Sequence, residues 1–146
     1  MLLTRHLTKT DIESIIPHYL DYFNHVEGAI WSEKTIERRL RQLIIREDQV
    51  GLILLDNESF IGFVTGQLIQ FDDGLIYELN ELFISRSKQS KGYGTFLLKA
   101  IENLAKEKGA FRLQLQAGDD RAHRHFYLTM HNYQIANNNL LLSKGL

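Results

Sequence analysis

Between Val50 and Lys108 the chain places three apolar, β-rich runs ahead of one amphipathic helix, and this order limits what the rest can fold into. Val50 to Leu55 and Phe60 to Ile69 flank Asp56-Asn57-Glu58, which predicts a hairpin. Asp72-Asp73-Gly74 turns the chain into a third run, Leu75 to Ile84. A short loop follows. From about Gly92 to Lys108, Phe96, Leu97, Ala100, Ile101 and Leu104 recur at helical spacing, with Gly109 as the stop. Phe111 to Gln116 alternates as a further strand.

Upstream, Leu2 to His6 reads as a short strand. Thr10 and Glu13 form a capping-box pattern ahead of Ile12, Ile15, Ile16, Tyr19, Leu20 and Phe23, and Pro17 is expected to kink or split that helix. Asn24 to Trp31 reads as a loop, and Ser32 caps a second helix carrying Ile36, Leu40, Leu43 and Ile44. Downstream, Asp119 or Asp120 caps a last helix to about Met130, and Tyr133 to Leu142 is expected to supply one or two terminal strands. The predicted order is β-α-α-β-β-β-α-β-α-β, an α/β (α+β) chain with a mixed central sheet flanked by helices, in a single domain over residues 1–146.

Several function classes fall away on composition. With 44% hydrophobic residues in 146 the chain can bury a real core, and a net charge of −1 gives no global reason to expect nucleic acid or an anionic membrane. No cysteine is present, which excludes disulfides, thiolate metal sites and a cysteine nucleophile. No run is long enough for a membrane span and MLLTRHLTKT is not a signal peptide, so a cytoplasmic location is expected. Charge is uneven, however. No Lys or Arg falls between Arg46 and Arg86, whereas Glu47, Asp48, Asp56, Glu58, Asp72, Asp73, Glu78 and Glu81 do. Arg86, Lys88 and Lys91 then reverse the sign.

That reversal coincides with a loop joining a strand to a helix start. Gly92 and Gly94 let the backbone approach a ligand, and the helix start turns N–H groups and a positive dipole end toward it. Such a group binds phosphate. The loop lacks the third glycine of a dinucleotide fingerprint and the Gly-Lys-Ser/Thr of a phosphate loop.

Gln89-Ser90-Lys91-Gly92-Tyr93-Gly94 resembles the Q/R-x-x-G-x-G/A signature of the GNAT superfamily of N-acetyltransferases, and like that signature it follows a strand, NELFI, and opens a helix. Element order and chain length are similar to that family across nearly the whole chain. The resemblance implies acetyl-CoA as donor. It implies that backbone N–H groups from Gln89 to Gly94, with Thr95, hold the pyrophosphate and that Arg86, Lys88 or Lys91 pairs with the phosphates. The pantetheine arm would run along Leu82, Phe83 and Ile84, where a main-chain N–H, that of Phe83 or a neighbour, would stabilise the oxyanion.

An ammonium acceptor must lose a proton before it attacks a thioester, and a carboxylate raised by burial can take it. Strict alternation puts Glu81 on a face with Leu79 and Phe83, and Glu78 with Asn80 on the opposite one. Glu81 is therefore the candidate base, with a structural ion pair as the alternative. Phe126-Tyr127 is similar to the family's tyrosine-bearing helix, although Asp120 and His123 stand where Asn and Ala are usual and Asn132-Tyr133 where Gly-Phe is. Tyr127 is the candidate general acid, with packing against the sheet as the alternative. His123, His125 and His131 lack i, i+4 pairing on that helix, which argues against a metal site.

In this fold the acceptor side is lined by the first helices, their loop and the later strand loops. Tyr22, His25, Glu27, Trp31, Asp72 and Asp73 thus become acceptor candidates, and aromatics with carboxylates suit a cationic small-molecule or peptide amine such as an aminoglycoside, a polyamine, a lysine or an N-terminal amine. A homodimer is compatible with the sequence. The rival readings are a non-catalytic acyl-CoA-binding or sensor domain and a protein-interaction scaffold.

Overall fold

The computed structural model describes all residues, Met1–Leu146, and the chain divides into two compact units, Met1–Leu115 and Gln116–Leu146. The first unit runs β1 (Leu2–His6), α1 (Ile12–Val26), α2 (Glu33–Ile44), β2 (Gln49–Asp56), β3 (Ser59–Phe71), β4 (Gly74–Ile84), α3 (Tyr93–Glu107) and β5 (Ala110–Leu115). The strands lie in chain order, β1-β2-β3-β4-β5. Neighbours joined by turns or by the α1–α2 excursion are antiparallel, and only β5, which returns after α3, pairs parallel to β4. A tight turn reverses a strand, whereas a helical crossover restores its direction, so one helix inserted after β4 makes the sheet mixed.

The β-branched and aromatic residues of the strands bury both faces. Ile53, Phe63 and Phe83 join Ile12, Ile15, Tyr19, Ile36, Leu40 and Leu43 in a core under α1 and α2. Their neighbours Leu52, Leu54 and Val64 point the other way, where α3 packs on the sheet and buries Leu97, Leu98, Ile101 and Ala105. Tyr77 is fully buried and donates its hydroxyl to the Val50 carbonyl at 2.7 Å, so its polar tip is satisfied.

Pro17 does not split α1, which runs unbroken over 15 residues. Loss of the Pro17 N–H leaves one helical bond unmade, and burial of Ile12, Ile15 and Tyr19 against the sheet outweighs it. The start of α1 also differs from the Thr10–Glu13 pattern. A 3-10 turn, Lys9–Asp11, precedes the helix, and the Asp11 carboxylate accepts the Thr8 N–H at 2.9 Å.

The second unit begins with a short α4 (Arg121–Arg124), capped by Asp120, whose carboxylate accepts the His123 N–H at 2.9 Å. It widens at once into a π-helical stretch, His125–Met130. The expected terminal strands are not formed: no regular element follows Met130. Asn137-Asn138-Asn139 divides Tyr133 to Leu142 into two pieces of four and three residues, and asparagine is a poor strand residue while so short a hairpin has little stability of its own. No helix of the chain is long and apolar enough to cross a membrane.

Candidate active site

The site of the first unit is organised by one extra residue in β4. Thr65 pairs with Glu81 and Gly66 pairs with Leu79, leaving Asn80 as the inserted residue of a β-bulge. Gly66 is required on the facing strand, since a Cβ there would collide with the Glu78 carbonyl oxygen and the Tyr77 ring. Residues directly opposite on paired strands share a face. Glu81 (opposite Thr65) and Glu78 (opposite Gln67) therefore lie on the α1–α2 face with Phe83, and Leu79 lies on the other. Strict alternation had put Glu78 opposite Glu81. The bulge reverses that assignment, because it adds one residue between them.

The bulge also marks the end of the parallel ladder. β5 pairs with β4 only from Leu75 to Leu79, so Asn80 to Ile84 have a strand neighbour, β3, on one side alone. Leu82 and Ile84 are partly buried, and the Phe83 side chain is sunk in the core while its backbone stays on the strand. The strand then ends in a tethered turn. Ser85 donates its N–H to the Ile61 carbonyl at 2.8 Å, and the Gln89 side-chain amide donates to the Ile84 carbonyl at 3.1 Å. Gln89, the first residue of the signature, thus fixes the loop to the strand through its side chain.

The loop itself depends on two left-handed residues, Ser90 at φ 61° and Gly92 at φ 86°. Nothing lies near the place of a Gly92 Cβ, so backbone conformation and not space is what selects glycine there. Gly92 is the N-cap of α3 and, as glycine, brings no side chain to cap it. The first α3 bond is from Phe96 N–H to the Gly92 carbonyl at 3.0 Å, which leaves the Tyr93 and Gly94 N–H groups ahead of it in the first turn. Lys91 is exposed and Lys88 partly so, while Arg86 reaches the Asp21 carboxylate of α1 at 3.5 Å. The arrangement offers an anion a helix start and surface positive charge at the end of a strand edge that β5 does not pair.

Glu81 sits beneath α1. Tyr19 donates its hydroxyl to Glu81 Oε1 at 3.1 Å. Burial pushes the Glu81 carboxyl up to about 7, against the Tyr19 hydrogen bond and the nearby Arg39 guanidinium, which favour its charged form, and Glu27 adds a further upward push. Farther along the same face Arg46 donates to Asn80 Oδ1, and Asn80 donates to Glu78 Oε1 at 3.3 Å. Tyr19, Arg39 and Arg46 were not among the sequence candidates. Tyr19 reads there as one more apolar position of an amphipathic helix, and only its phenolic tip gives a signal.

Four acceptor candidates gather around the end of α1. Tyr22 packs edge-on against Phe83, with ring centroids 5.8 Å apart, and its hydroxyl lies 3.5 Å from Glu27 Oε1. Asn24 clamps the Trp31 backbone by accepting its N–H at 3.1 Å and donating to its carbonyl at 2.9 Å, and the indole covers the core beside Tyr19. His25 is exposed beside Asp21. Asp72 and Asp73 are not brought to this cluster. They lie in the β3–β4 turn, roughly 25 Å along the strand from Glu81 at the usual rise per residue.

In the second unit Tyr127 packs edge-on against Phe126 and Tyr133, at 4.9 and 5.6 Å, and its carbonyl accepts the Tyr133 N–H at 2.9 Å. His123 is engaged by Asp120 at 2.6 Å and His131 packs on Phe126 at 4.7 Å. No three His, Asp or Glu side chains of the chain come together in a group that could hold a metal ion.

A family model described as the acetyltransferase (GNAT) family matches residues 12–132, across both units. No curated protein sequence matches the chain. Among solved structures, a possible acetyltransferase from Clostridium difficile 630 is similar with a TM-score of 0.83 at 12% identity, over 100% of this chain and 99% of that one. A ribosomal-protein-alanine N-acetyltransferase from Brucella melitensis biovar Abortus 2308 is similar at a TM-score of 0.77 and 14% identity, over 99% of this chain and 100% of that one. An aminoglycoside acetyltransferase from an uncultured soil metagenomic sample, in complex with sisomicin, gives a TM-score of 0.73 at 16% identity over 99% of this chain and 96% of that one.

Proposed function

We propose, for a chain that belongs to the acetyltransferase (GNAT) family and is therefore an acyltransferase, that it moves an acetyl group from acetyl-CoA to a primary amine by direct attack within a ternary complex. The observation that carries this reading is the convergence on β4 of a strand edge from Asn80 to Ile84 that β5 does not pair, a helix start with glycine at its N-cap, Gly92, and a partly buried carboxylate at Glu81. Pantetheine amides would bond to the open edge along Leu82, Phe83 and Ile84 as an added strand does. The pyrophosphate would lie on the backbone of Gln89, Ser90, Lys91, Gly92, Tyr93 and Gly94, with the Thr95 side chain assisting and Lys88, Lys91 and Arg86 supplying positive charge.

Glu81 takes a proton from the acceptor ammonium, directly or through water, and the freed amine forms its C–N bond at the thioester carbonyl. A main-chain N–H near Phe83 stabilises the oxyanion. Collapse breaks the C–S bond, the nitrogen gives up its surplus proton to solvent, and Tyr127 delivers a proton to the departing thiolate and regains one from solvent. Supporting a cationic acceptor are Glu27 and Glu81, with Tyr22 and Trp31 near them, whereas Glu78, farther along the face, is engaged by Asn80 and Arg46. The similar structures act on acceptors of both kinds named by this chemistry, an aminoglycoside and a protein amine.

The test separates donor from acceptor. Gly94→Asp sets a carboxylate against the pyrophosphate position, and we expect a folded protein whose melting temperature no longer responds to CoA. In the parent, CoA at ~100 times its dissociation constant should add about 2.7 kcal/mol. An equal response in both proteins would remove the donor assignment. Thiol release across a panel of polyamines, aminoglycosides and peptides then identifies the acceptor class, and turnover confined to anionic or neutral amines would refute a cationic one.

A further inference from the structure

We infer that Tyr19 is the positioning residue for Glu81: its hydroxyl holds Oε1, fixes the carboxylate on the α1 face of β4, and leaves Oε2 as the atom that meets the acceptor ammonium. The inference rests on the reading of Glu81 as the base. It begins from the placement of the phenol. Tyr19 is only 3% exposed, and its ring is held between Phe23 and Phe83 at 4.4 and 5.2 Å, with Trp31 and Phe63 at 6.3 and 6.5 Å. A ring packed on so many sides has little rotational freedom, so its hydroxyl is a fixed donor and not an opportunistic one. The acceptor of that bond, Glu81 Oε1, lies 62 residues away in the chain and on another layer of the unit, so tertiary structure brings the two together.

The pairing also has a fixed direction of proton donation. Burial raises the Tyr19 hydroxyl above its ordinary range, and the adjoining Glu81 charge raises it further, so the phenol remains protonated wherever the protein works. A donor that never ionises stabilises the carboxylate over the carboxylic acid and cannot itself compete for the acceptor's proton. The other groups facing Glu81 are charged and less direct: Glu27 at the end of α1 opposes its ionisation and Arg39 of α2 favours it, while β3 contributes the neutral Thr65 opposite. Tyr19 therefore performs two tasks for one base. It selects the side-chain orientation, and it keeps the ionised form accessible near neutral pH inside a buried setting.

Tyr19→Phe removes the hydroxyl and keeps the ring, so packing is retained and the hydrogen bond alone is lost. The decisive experiment follows the glutamate side-chain carboxyl carbons by NMR in the full chain, labelled with 13C-glutamate and titrated without acceptor, for the parent, Glu81→Gln and Tyr19→Phe. We expect one resonance with a midpoint near 7 in the parent, its absence in Glu81→Gln, and a midpoint about one pH unit higher in Tyr19→Phe. A role limited to packing would leave that midpoint where it was, and an unmoved midpoint overturns the inference while Glu81 keeps its place as base. If Glu81→Gln removes no resonance near neutrality, the reading of Glu81 fails first and the role of Tyr19 falls with it. A circular dichroism spectrum and CoA-dependent melting shift matching the parent establish that Tyr19→Phe is folded.

Discussion

Helix α1 meets two carboxylates, one before its first turn and one beneath its middle, and they are treated in opposite ways. Asp11 is 5% exposed, but the Arg5 guanidinium grips both of its oxygens at 2.8 and 3.0 Å and the Thr8 N–H adds a third bond. Burial pushes the Asp11 carboxyl up, yet these partners together hold it below the ordinary carboxylate range. Glu81 meets burial with a neutral phenol and a more distant arginine, and burial prevails. Burial pushes both carboxyls up, and the partners each one meets decide how much of that push survives. What separates them is whether a full positive charge is in direct contact, because a contact ion pair offsets desolvation where a neutral donor offsets only part of it.

The contrast can be broken most severely at Glu81. Glu81→Gln should lower kcat/KM with acetyl-CoA and a responsive amine by roughly 10²–10⁴-fold, while Asp11→Asn, assayed well below its melting temperature, should leave the rate within a few-fold of the parent. Equal losses in the two variants would dissolve the distinction. In the parent the rate should rise with pH through about 7, as the base becomes ionised.

A smaller effect is expected at the other carboxylate. Arg5→Ala strands the Asp11 charge and should cost roughly 2 kcal/mol in urea unfolding at neutral pH. Since the folded-state value of Asp11 is depressed, the stabilisation is present above the ordinary carboxylate value and is lost as pH falls through the folded one. The cost of Arg5→Ala should therefore shrink in acid. A penalty that stays constant to pH 2 would point to lost packing of the arginine stem instead.

The remaining effect has the opposite sign. Glu81 is raised from 4.5 to about 7 on folding, so its favourable contribution is whole below its ordinary value and is lost as pH rises through the folded one. Glu81→Gln should match the parent at pH 4 and be the more stable of the two at pH 8. A destabilised variant at pH 8 would mean that the carboxylate is part of the scaffold.

How much of this was legible beforehand follows from the range of the interactions. The strand runs, the helix over Gly92 to Lys108 and the signature loop were readable because their determinants are local: period, turn residues and a glycine with positive φ. A split at Pro17 and a pair of terminal strands were local arguments overruled or overextended. Pro17 was outweighed by the burial of its own helix face, and the terminal run lacked the length to pair once Asn137 to Asn139 divided it. The bulge at Asn80 left no mark in the strand's own sequence. It depends on Gly66 in the neighbouring strand, and with it went the side on which Glu78 projects. Tyr19 was hidden for the same reason, since its partner is 62 residues distant.

The open edge of β4 carries a further consequence, for how the protein behaves on its own. Asn80 to Ile84 presents main-chain donors and acceptors on a side where β5 has already ended, in a stretch that includes Leu82, Phe83 and Ile84. An unpaired, largely apolar strand edge is a template for any extended peptide, including another copy of the chain. The donor that fills this edge would therefore also act as its guard. We expect the protein stored without CoA to lose monodispersity in light scattering faster than the same protein stored with it, and Leu82→Lys to remove that difference.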